Sequence, residues 1–238
     1  MLTHIEKFSC TRKTLNMQDE QKIGHMMMNT VQRPNNDGMG MNNRDLGDIL
    51  QECGAIKFGD FTLASGKKSR YYVDVKKAVT KPEMLEVICK RVACEIVSHD
   101  LEADYVACVE LGAVPIGVIL SSWTGSPLII IRKEQKDYGL KDRIVGDIEK
   151  GKVALFLEDV TSTGGSVVSG VKVLRDEGLI VKTVISVVDR DEGAEDELGE
   201  EGLNLIYLVG ARNLLEDYEI AEALRHSGRV NANDGMLV

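Results

Sequence analysis

The sequence predicts an α/β fold, in which a mostly parallel sheet is flanked by helices. Short apolar runs at 105–109, 128–132, 153–157 and 181–188 have the length and composition of buried strands. Between them, apolar residues recur at helical spacing, which is the alternation typical of βαβ units. Ligands of such open sheets bind beyond the carboxyl ends of the strands, so we expect the functional residues to lie there.

The segments before the first of these strands predict two helices and a hairpin. A helix face runs from Leu46 to Cys53, and a longer helix begins after Pro82 and extends to about Ile96. Between them, residues 61–75 are typical of paired strands that turn at Ser65 and Gly66.

The remaining elements complete the sheet. Residues 114–122 predict a helix between the first two strands of the sheet. After the 153–157 strand, Val167, Val171 and Leu174 lie on one face of a helix, and Gly178 is placed to end it. The run at 181–188 then returns as a strand, which gives a βαβ unit.

The two ends of the chain differ from this regular centre. Residues 1–42 hold seven of the nine methionines (Met1, Met17, Met26, Met27, Met28, Met39, Met41) and show no sustained period. They predict a disordered extension or an artefact of an upstream start codon. The folded domain is expected over 43–225, with a short helix-like segment at 220–224, and a polar tail at 226–238. The acidic stretch at 189–201 is interpreted as a solvated loop or the edge of a helix.

Composition excludes several classes of protein. The net charge of −9 argues against general nucleic-acid binding, which requires clustered Lys and Arg. The sequence has no apolar run near the length of a membrane span and no leader peptide, so a cytoplasmic protein is expected. Five cysteines without a CxxC pair indicate reduced thiols rather than a disulfide frame or a zinc site.

The most informative segment is 155–166, where the βαβ strand ends on Glu158 and Asp159 and continues through Val160 into a loop. A helix N-terminus carries free N–H groups and a positive dipole end, so it favours a phosphate. Glycines let the backbone approach such a group, whereas the two carboxylates suit the hydroxyls of a ribose. The loop donors and glycines are Thr161, Ser162, Thr163, Gly164, Gly165 and Ser166. The segment therefore predicts a site for a sugar and its 5′-phosphate.

Segment 158–166 resembles the phosphoribosyl-diphosphate (PRPP) signature of the type I phosphoribosyltransferases. Four further segments, at 58–74, 109–115, 132–139 and 188–190, are similar in order and composition to those of the orotate phosphoribosyltransferase family. The resemblance spans roughly residues 43–218. It implies the type I phosphoribosyltransferase fold, with a small N-terminal hood over a mostly parallel sheet.

The resemblance also implies a reaction. Orotate N1 would displace pyrophosphate from C1 of PRPP and yield orotidine 5′-monophosphate, a step of de novo pyrimidine (UMP) biosynthesis. Catalysis would be by positioning and electrostatics, with Mg²⁺ held mainly by substrate oxygens and no metal-binding residues of the protein. Arg132, Lys133, Lys136 and Tyr138 would act on the diphosphate from a mobile loop. The substrates PRPP and orotate are the expected partners, in a homodimer.

Four residues are implied at the orotate end of the site. Arg190 would pair with the orotate carboxylate, and Ser162 matches an orotate-contacting position of the family. Tyr71 and Tyr72 could form a wall beside the base by stacking, although ordinary strand packing explains these two tyrosines equally well.

The chain departs from many family members at three positions. Tyr138 replaces a histidine, so a phenol with a pKa near ~10 would donate a hydrogen bond there. Ala64 and Gly112 stand where other members have lysines, which removes two cationic contacts. Archaeal members resemble this variant more closely than enterobacterial ones do.

Two alternatives share the segment at 158–166. A phosphoribosyltransferase for a purine or other base would not need Arg190 or the lysine-rich loop. A PRPP-sensing transcription regulator would carry an N-terminal helix-turn-helix pair, which residues 1–42 do not show.

Overall fold

The computed structural model of this chain describes residues 45–62, 66, 68–133, 143–212, 214–215 and 218–219. Several predictions fall outside these ranges: the extension at 1–42, the helix-like segment at 220–224, the tail at 226–238, and the roles of Ala64, Lys136 and Tyr138. The elements, in chain order, are α1 (Leu46–Glu52), β1 (Ile56–Thr62), β2 (Lys68–Val73), α2 (Lys76–Val79), α3 (Pro82–Ser98), β3 (Tyr105–Val109), α4 (Val114–Thr124), β4 (Leu128–Ile131), β5 (Ile144–Val145), β6 (Val153–Thr161), α5 (Gly165–Asp176), β7 (Ile180–Asp189), α6 (Ala194–Glu200) and β8 (Asn204–Gly210).

Within the described residues, six strands form one sheet in the order β5-β4-β3-β6-β7-β8. The neighbours are parallel except for β4 and β5, which pair antiparallel. The predicted α/β fold with a mostly parallel sheet is therefore confirmed. β1 and β2 form a separate antiparallel pair, which is the N-terminal hood.

The sheet is buried on both faces because successive side chains of its strands point to opposite sides. On one face, Cys108 and Leu157 pack with residues of α1, α3 and α4, including Leu50, Ile88 and Leu120. On the other face, Phe156 joins a cluster that includes Val171 of α5 and Leu198 of α6. The helices thus cover the two faces in separate groups.

Local signals place several helix ends. The Asp45 side chain accepts a hydrogen bond from Gly47 N at 2.7 Å and begins α1. Pro82 occupies the first turn of α3, where its missing N–H has no intrahelical partner. Gly178, predicted to end the helix after the phosphate loop, follows α5 with φ = 92°.

Some elements differ from the sequence prediction. The hood begins at Ile56 rather than at residue 61, and β8 was not predicted. The acidic stretch holds α6, whose buried residues Ala194 and Leu198 are one turn apart, so the helix-edge alternative is correct. None of the helices in the described ranges has the length and apolar character that a membrane span requires.

The cysteines in the described residues are free thiols (Cys53, Cys89, Cys94 and Cys108). Burial raises the pKa of both Cys89 and Cys108 to about 12, so these two thiols stay protonated. This agrees with the expected reduced thiols.

Candidate active site

The carboxyl ends of β3, β6 and β7 meet at one edge of the sheet because these neighbouring strands are parallel. β3 is followed by the loop at 110–113, β6 ends in the acidic pair and the glycine-rich loop, and β7 ends in Asp189 and Arg190. The structure therefore brings the loop at 110–113, the segment at 158–166 and the end of β7 to one edge of the sheet.

The loop after β3 approaches β6 very closely. A Cβ atom added at Gly112 would overlap the carboxylate of Asp159, so any side chain at this position would displace that group. The loop is also tied to the strand beside it, because Glu110 Oε1 accepts a hydrogen bond from Lys133 N at 2.9 Å. The Glu110–Leu111 peptide bond is cis.

The acidic pair is largely withdrawn from solvent, with Glu158 7% and Asp159 9% exposed. Asp159 N donates to Glu158 Oε1 at 3.1 Å. Burial, with the neighbouring Asp159 carboxylate as the second cause, raises the pKa of Glu158 from 4.5 to about 9. At neutral pH, Glu158 therefore holds a proton in the absence of ligands and can donate a hydrogen bond.

The glycine-rich loop leads into the N-terminus of α5, as predicted. Gly164 adopts a left-handed conformation with φ = 85° and precedes the first residue of the helix. No side chain caps this helix end, so its first N–H groups remain directed at the loop. Gly165, Ser166 and Thr163 are exposed and Ser162 is half-buried, so a bound anion could reach them.

Thr161 has a different role from the other hydroxyls of the loop. It is 2% exposed, and its Oγ1 donates to Asp189 Oδ1 at 2.7 Å. The other carboxylate oxygen, Asp189 Oδ2, accepts from Asp191 N at 3.1 Å. Asp189 thus ties the turn that follows Arg190 to the neighbouring strand β6. The only sequence signal for this role was its place at the end of an apolar run.

Arg190 lies at the end of β7 with its side chain 14% exposed. Its Nη2 pairs with Glu192 Oε1 at 2.8 Å, and its guanidinium carbon is 5.3 Å from the centre of the Tyr71 ring. Its Nε is buried and has no hydrogen-bond partner among the described residues. A buried guanidinium with an unused donor is suited to an anionic ligand group.

The two tyrosines of β2 point to opposite faces of that strand, as consecutive residues must. Tyr71 is 9% exposed, and its hydroxyl donates to the Arg190 backbone carbonyl at 2.8 Å. Tyr72 is 40% exposed and lies beside Phe61, with ring centres 5.7 Å apart. A wall formed by both rings beside a base stays a prediction.

The segment predicted as a mobile loop is described only at its two ends. Arg132 N donates to Arg143 O at 2.8 Å, and the Arg143 guanidinium donates back to Arg132 O at 3.3 Å. These bonds hold the two ends together. Lys133 is exposed, while Lys136 and Tyr138 are not among the described residues.

Lys76 lies in the short helix α2 that follows the hood and was not among the predicted site residues. Its Nζ lies 3.7 Å from Asp159 Oδ2 and 3.6 Å from Asp74 Oδ1. The only sequence signal was its place two residues after the 58–74 motif. In the described part of the chain, no group of three or more His, Cys, Asp or Glu side chains is arranged to hold a metal ion.

The chain is similar in sequence and in structure to known proteins. No family model matches the chain. It is 49% identical over 167 residues to the orotate phosphoribosyltransferase of Methanosarcina mazei, a match that covers 70% of the chain and 88% of that protein. The orotate phosphoribosyltransferase of Methanocaldococcus jannaschii is 48% identical over 167 residues, with 70% and 93% covered. The crystal structure of orotate phosphoribosyltransferase from Aeropyrum pernix superposes with a TM-score of 0.66 at 31% identity, over 73% of this chain and 98% of that one.

Proposed function

The chain belongs to the orotate phosphoribosyltransferase family, and from that premise we propose how its residues carry out the transfer of ribose 5-phosphate from PRPP to orotate. The observation that carries the proposal is the meeting, at one sheet edge, of an acidic pair, an uncapped helix N-terminus and a buried arginine. These three features match the hydroxyls and 5′-phosphate of PRPP and the carboxylate of orotate.

The ribose 5-phosphate is placed on β6 and α5. The 5′-phosphate accepts from the N–H groups and hydroxyls of residues 161–166, where the positive end of the α5 dipole favours a dianion. The ribose hydroxyls lie against the carboxyl groups of Glu158 and Asp159. The protonated Glu158 donates a hydrogen bond to a ribose hydroxyl oxygen, and the Asp159 carboxylate accepts a hydrogen bond from a ribose hydroxyl.

Orotate is placed between β7 and the loop after β6. The guanidinium of Arg190 pairs with the orotate carboxylate, for which its buried Nε is an unused donor. Ser162 follows Thr161, whose carbonyl accepts a hydrogen bond from Arg190 N at 2.9 Å, so Ser162 and Arg190 are close enough to contact one ligand. Uracil lacks this carboxylate and leaves the buried Nε donor of Arg190 without a partner, so the site discriminates against uracil.

The diphosphate is placed near the loop at 110–113 and near Arg132, Lys133 and Arg143. Arg132, Lys133, Lys136 and Tyr138 contact it there, and bonds between these groups and the leaving oxygens strengthen as negative charge develops. Mg²⁺ would be held mainly by oxygens of the diphosphate itself, and the carboxylates of Asp74 and Asp159 near Lys76 are oxygen donors of the kind that this ion accepts. When bound, Mg²⁺ neutralises charge on the leaving pyrophosphate.

The chain therefore acts by positioning and by fixed charge. Orotate N1 and C1 of the ribose are held together by Arg190 at one side and by residues 158–166 at the other. As the bond from C1 to pyrophosphate lengthens, positive charge grows on the ribose ring, and the Asp159 carboxylate next to it stabilises that charge.

The domain bounds and the oligomeric state are proposed from the same family membership. Residues 43–225 form the catalytic domain, and two copies of the chain associate as a homodimer. Exposed apolar side chains at Leu111 (68%) and Val118 (51%), on the loop and helix after β3, supply surface for such an interface. Sedimentation equilibrium of the full chain measures this state directly.

The test follows the ultraviolet absorbance change as orotate is converted to its nucleotide in the presence of PRPP and Mg²⁺. The wild-type chain should convert orotate, and Arg190→Gln should lower kcat/KM for orotate by at least about a hundredfold, since a buried charged contact is worth several kcal/mol. Lys172→Gln, an exposed charge change on α5, is the matched control and should leave kcat/KM unchanged.

Two outcomes would contradict the proposal. Turnover of a purine base in preference to orotate would reassign the substrate. An Arg190→Gln variant that discriminates orotate from uracil as well as the wild type does would remove Arg190 from the carboxylate site.

A further inference from the structure

The position of Lys76 indicates a PRPP contact outside the segment at 132–143 and the glycine-rich loop. Its ammonium group lies between Asp74 and Asp159, on the side of Asp159 that also faces Gly112. From this position we propose that Lys76 binds the diphosphate of PRPP, and the pyrophosphate product, directly. This inference rests on the function proposed above.

The Lys76 charge is available to a ligand. Both of its carboxylate contacts, at 3.6 and 3.7 Å, are longer than a hydrogen bond between an ammonium and a carboxylate. The side chain is 58% exposed, whereas those of its partners Asp74 and Asp159 are 19% and 12% exposed. A ligand from solvent can therefore reach Lys76 more readily than it can reach either carboxylate.

The loop at 110–113 approaches Asp159 from another element. The Asp159 Oδ2 atom that pairs with Lys76 is also the atom nearest to a Cβ added at Gly112. Gly112 brings only backbone to this place, and a side chain there would overlap the carboxylate. A diphosphate lying along the 110–113 loop therefore needs a cation from another element, and α2 presents Lys76 at this point.

The negative charge at this edge also requires a nearby cation. Glu110, Asp74 and Asp159 gather here, and an approaching polyanion would be repelled without compensating charge. When the ribose hydroxyls engage Asp159, its hold on the Lys76 ammonium weakens. The ammonium can then move by a short distance onto a phosphate oxygen, as a flexible point charge.

The location favours the diphosphate over the 5′-phosphate. The 5′-phosphate site lies at Gly164 to Ser166, beyond the end of β6, whereas Lys76 contacts Asp159 within that strand on its Gly112 side. Loss of Lys76 should therefore weaken pyrophosphate without weakening orotidine 5′-monophosphate, which carries only the 5′-phosphate.

The test compares Lys76→Met, Lys76→Arg and the control Lys77→Met, which changes the next exposed lysine of the same helix. Binding of magnesium pyrophosphate and of orotidine 5′-monophosphate is measured by calorimetry on the full chain, together with KM for PRPP and for orotate. In Lys76→Met, the pyrophosphate dissociation constant and KM for PRPP should rise about tenfold, which corresponds to ~1.4 kcal/mol. Orotidine 5′-monophosphate affinity should change by less than about twofold, and Lys76→Arg should restore most of the pyrophosphate affinity.

Pyrophosphate affinity that is unchanged in Lys76→Met would overturn the proposal. Equal weakening of both ligands would also overturn it, since Lys76 would then act only by holding Asp159 in place. If the wild type bound pyrophosphate but did not convert orotate, the proposed function would fail. Calorimetry would still compare the pyrophosphate affinities of Lys76→Met and the wild type, and so test the role of Lys76 separately.

Discussion

The hydroxyl of Tyr71 donates a hydrogen bond to the backbone carbonyl of Arg190 at 2.8 Å, although the two residues are 119 positions apart in the chain. The Tyr71 ring also lies beneath the Arg190 guanidinium, 5.3 Å from its central carbon. Two independent contacts therefore join the N-terminal hood to the strand end that is proposed to bind orotate. The orientation of Arg190 depends on the hood as well as on the sheet.

Removing the hydroxyl in Tyr71→Phe should loosen Arg190 while keeping the ring. Burial raises the pKa of Tyr71, so its hydroxyl stays protonated and remains a donor through neutral pH. One such bond contributes about 1 kcal/mol, so KM for orotate should rise about fivefold with KM for PRPP unchanged. Steady-state kinetics with each substrate varied in turn measures the difference.

Tyr72→Phe is the control, because the Tyr72 side chain is exposed on the opposite face of β2. A Tyr71→Phe variant whose KM rises for PRPP instead of orotate would show that the hood acts on another part of the site.

Gly112→Ala should impair PRPP binding through Asp159. The new Cβ would overlap the Asp159 carboxylate, which must rotate away from the position proposed for the ribose hydroxyls. We expect KM for PRPP to rise at least about tenfold, since a misplaced group at the reacting centre lowers rates strongly. Gly112 is buried, so the free energy of unfolding should fall as well, and urea denaturation of the variant measures that effect separately.

The matched control for this substitution is Gly199→Ala in α6, where an added Cβ meets no atom within 4 Å. Normal PRPP kinetics in Gly112→Ala would mean that Asp159 does not contact the ribose.

The buried acid Glu158 should make stability fall as the pH rises. Its pKa is raised from 4.5 to about 9 in the folded chain, so folding retains a proton that the unfolded chain loses. Stability is unaffected below the lower pKa and decreases as the pH rises from 4.5 toward 9. Without ligands, Tm should therefore decline across this window in the wild type and decline less in Glu158→Gln.

Thermal melts at several pH values, with the exposed Glu200→Gln as the comparison, measure this slope. Parallel Tm curves for Glu158→Gln and the wild type would show that another group carries the pH dependence.

Gly170→Ala should destabilise the fold without touching the site directly. Gly170 lies where α5 crosses the sheet, and a Cβ there would come within 2.8 Å of Val109 Cγ2 and 2.9 Å of the Phe156 ring. Overpacking of this kind lowers the free energy of unfolding by about 1–3 kcal/mol. Urea denaturation measures it, and Gly199→Ala again provides a helical glycine without such neighbours. An unchanged midpoint would mean that α5 shifts freely on the sheet.

The sequence predicted strands and helix ends correctly where the pattern lies within a few neighbouring residues. The runs that became β3, β4, β6 and β7 are apolar because a parallel sheet is buried on both faces, and Gly178 marked the end of α5. The strand β8 was overlooked beside an acidic stretch, although 205–209 is an apolar run of the length of a strand. The start of the hood was also misjudged, because a register shift between Phe58 and Phe61 interrupts the two-residue alternation of its first strand.

The fold class and the family could be inferred from the sequence alone, and the phosphate loop at 158–166 and the orotate contact at Arg190 were predicted from it. Each of these depends on residue types at short, fixed spacings, which strand and helix geometry place on one edge or face. The contacts of Thr161 with Asp189, of Tyr71 with Arg190, and of Lys76 with Asp159 beside Gly112 emerged from the tertiary structure. Those contacts join segments separated by tens of residues, and their distances depend on how the elements pack rather than on any local pattern.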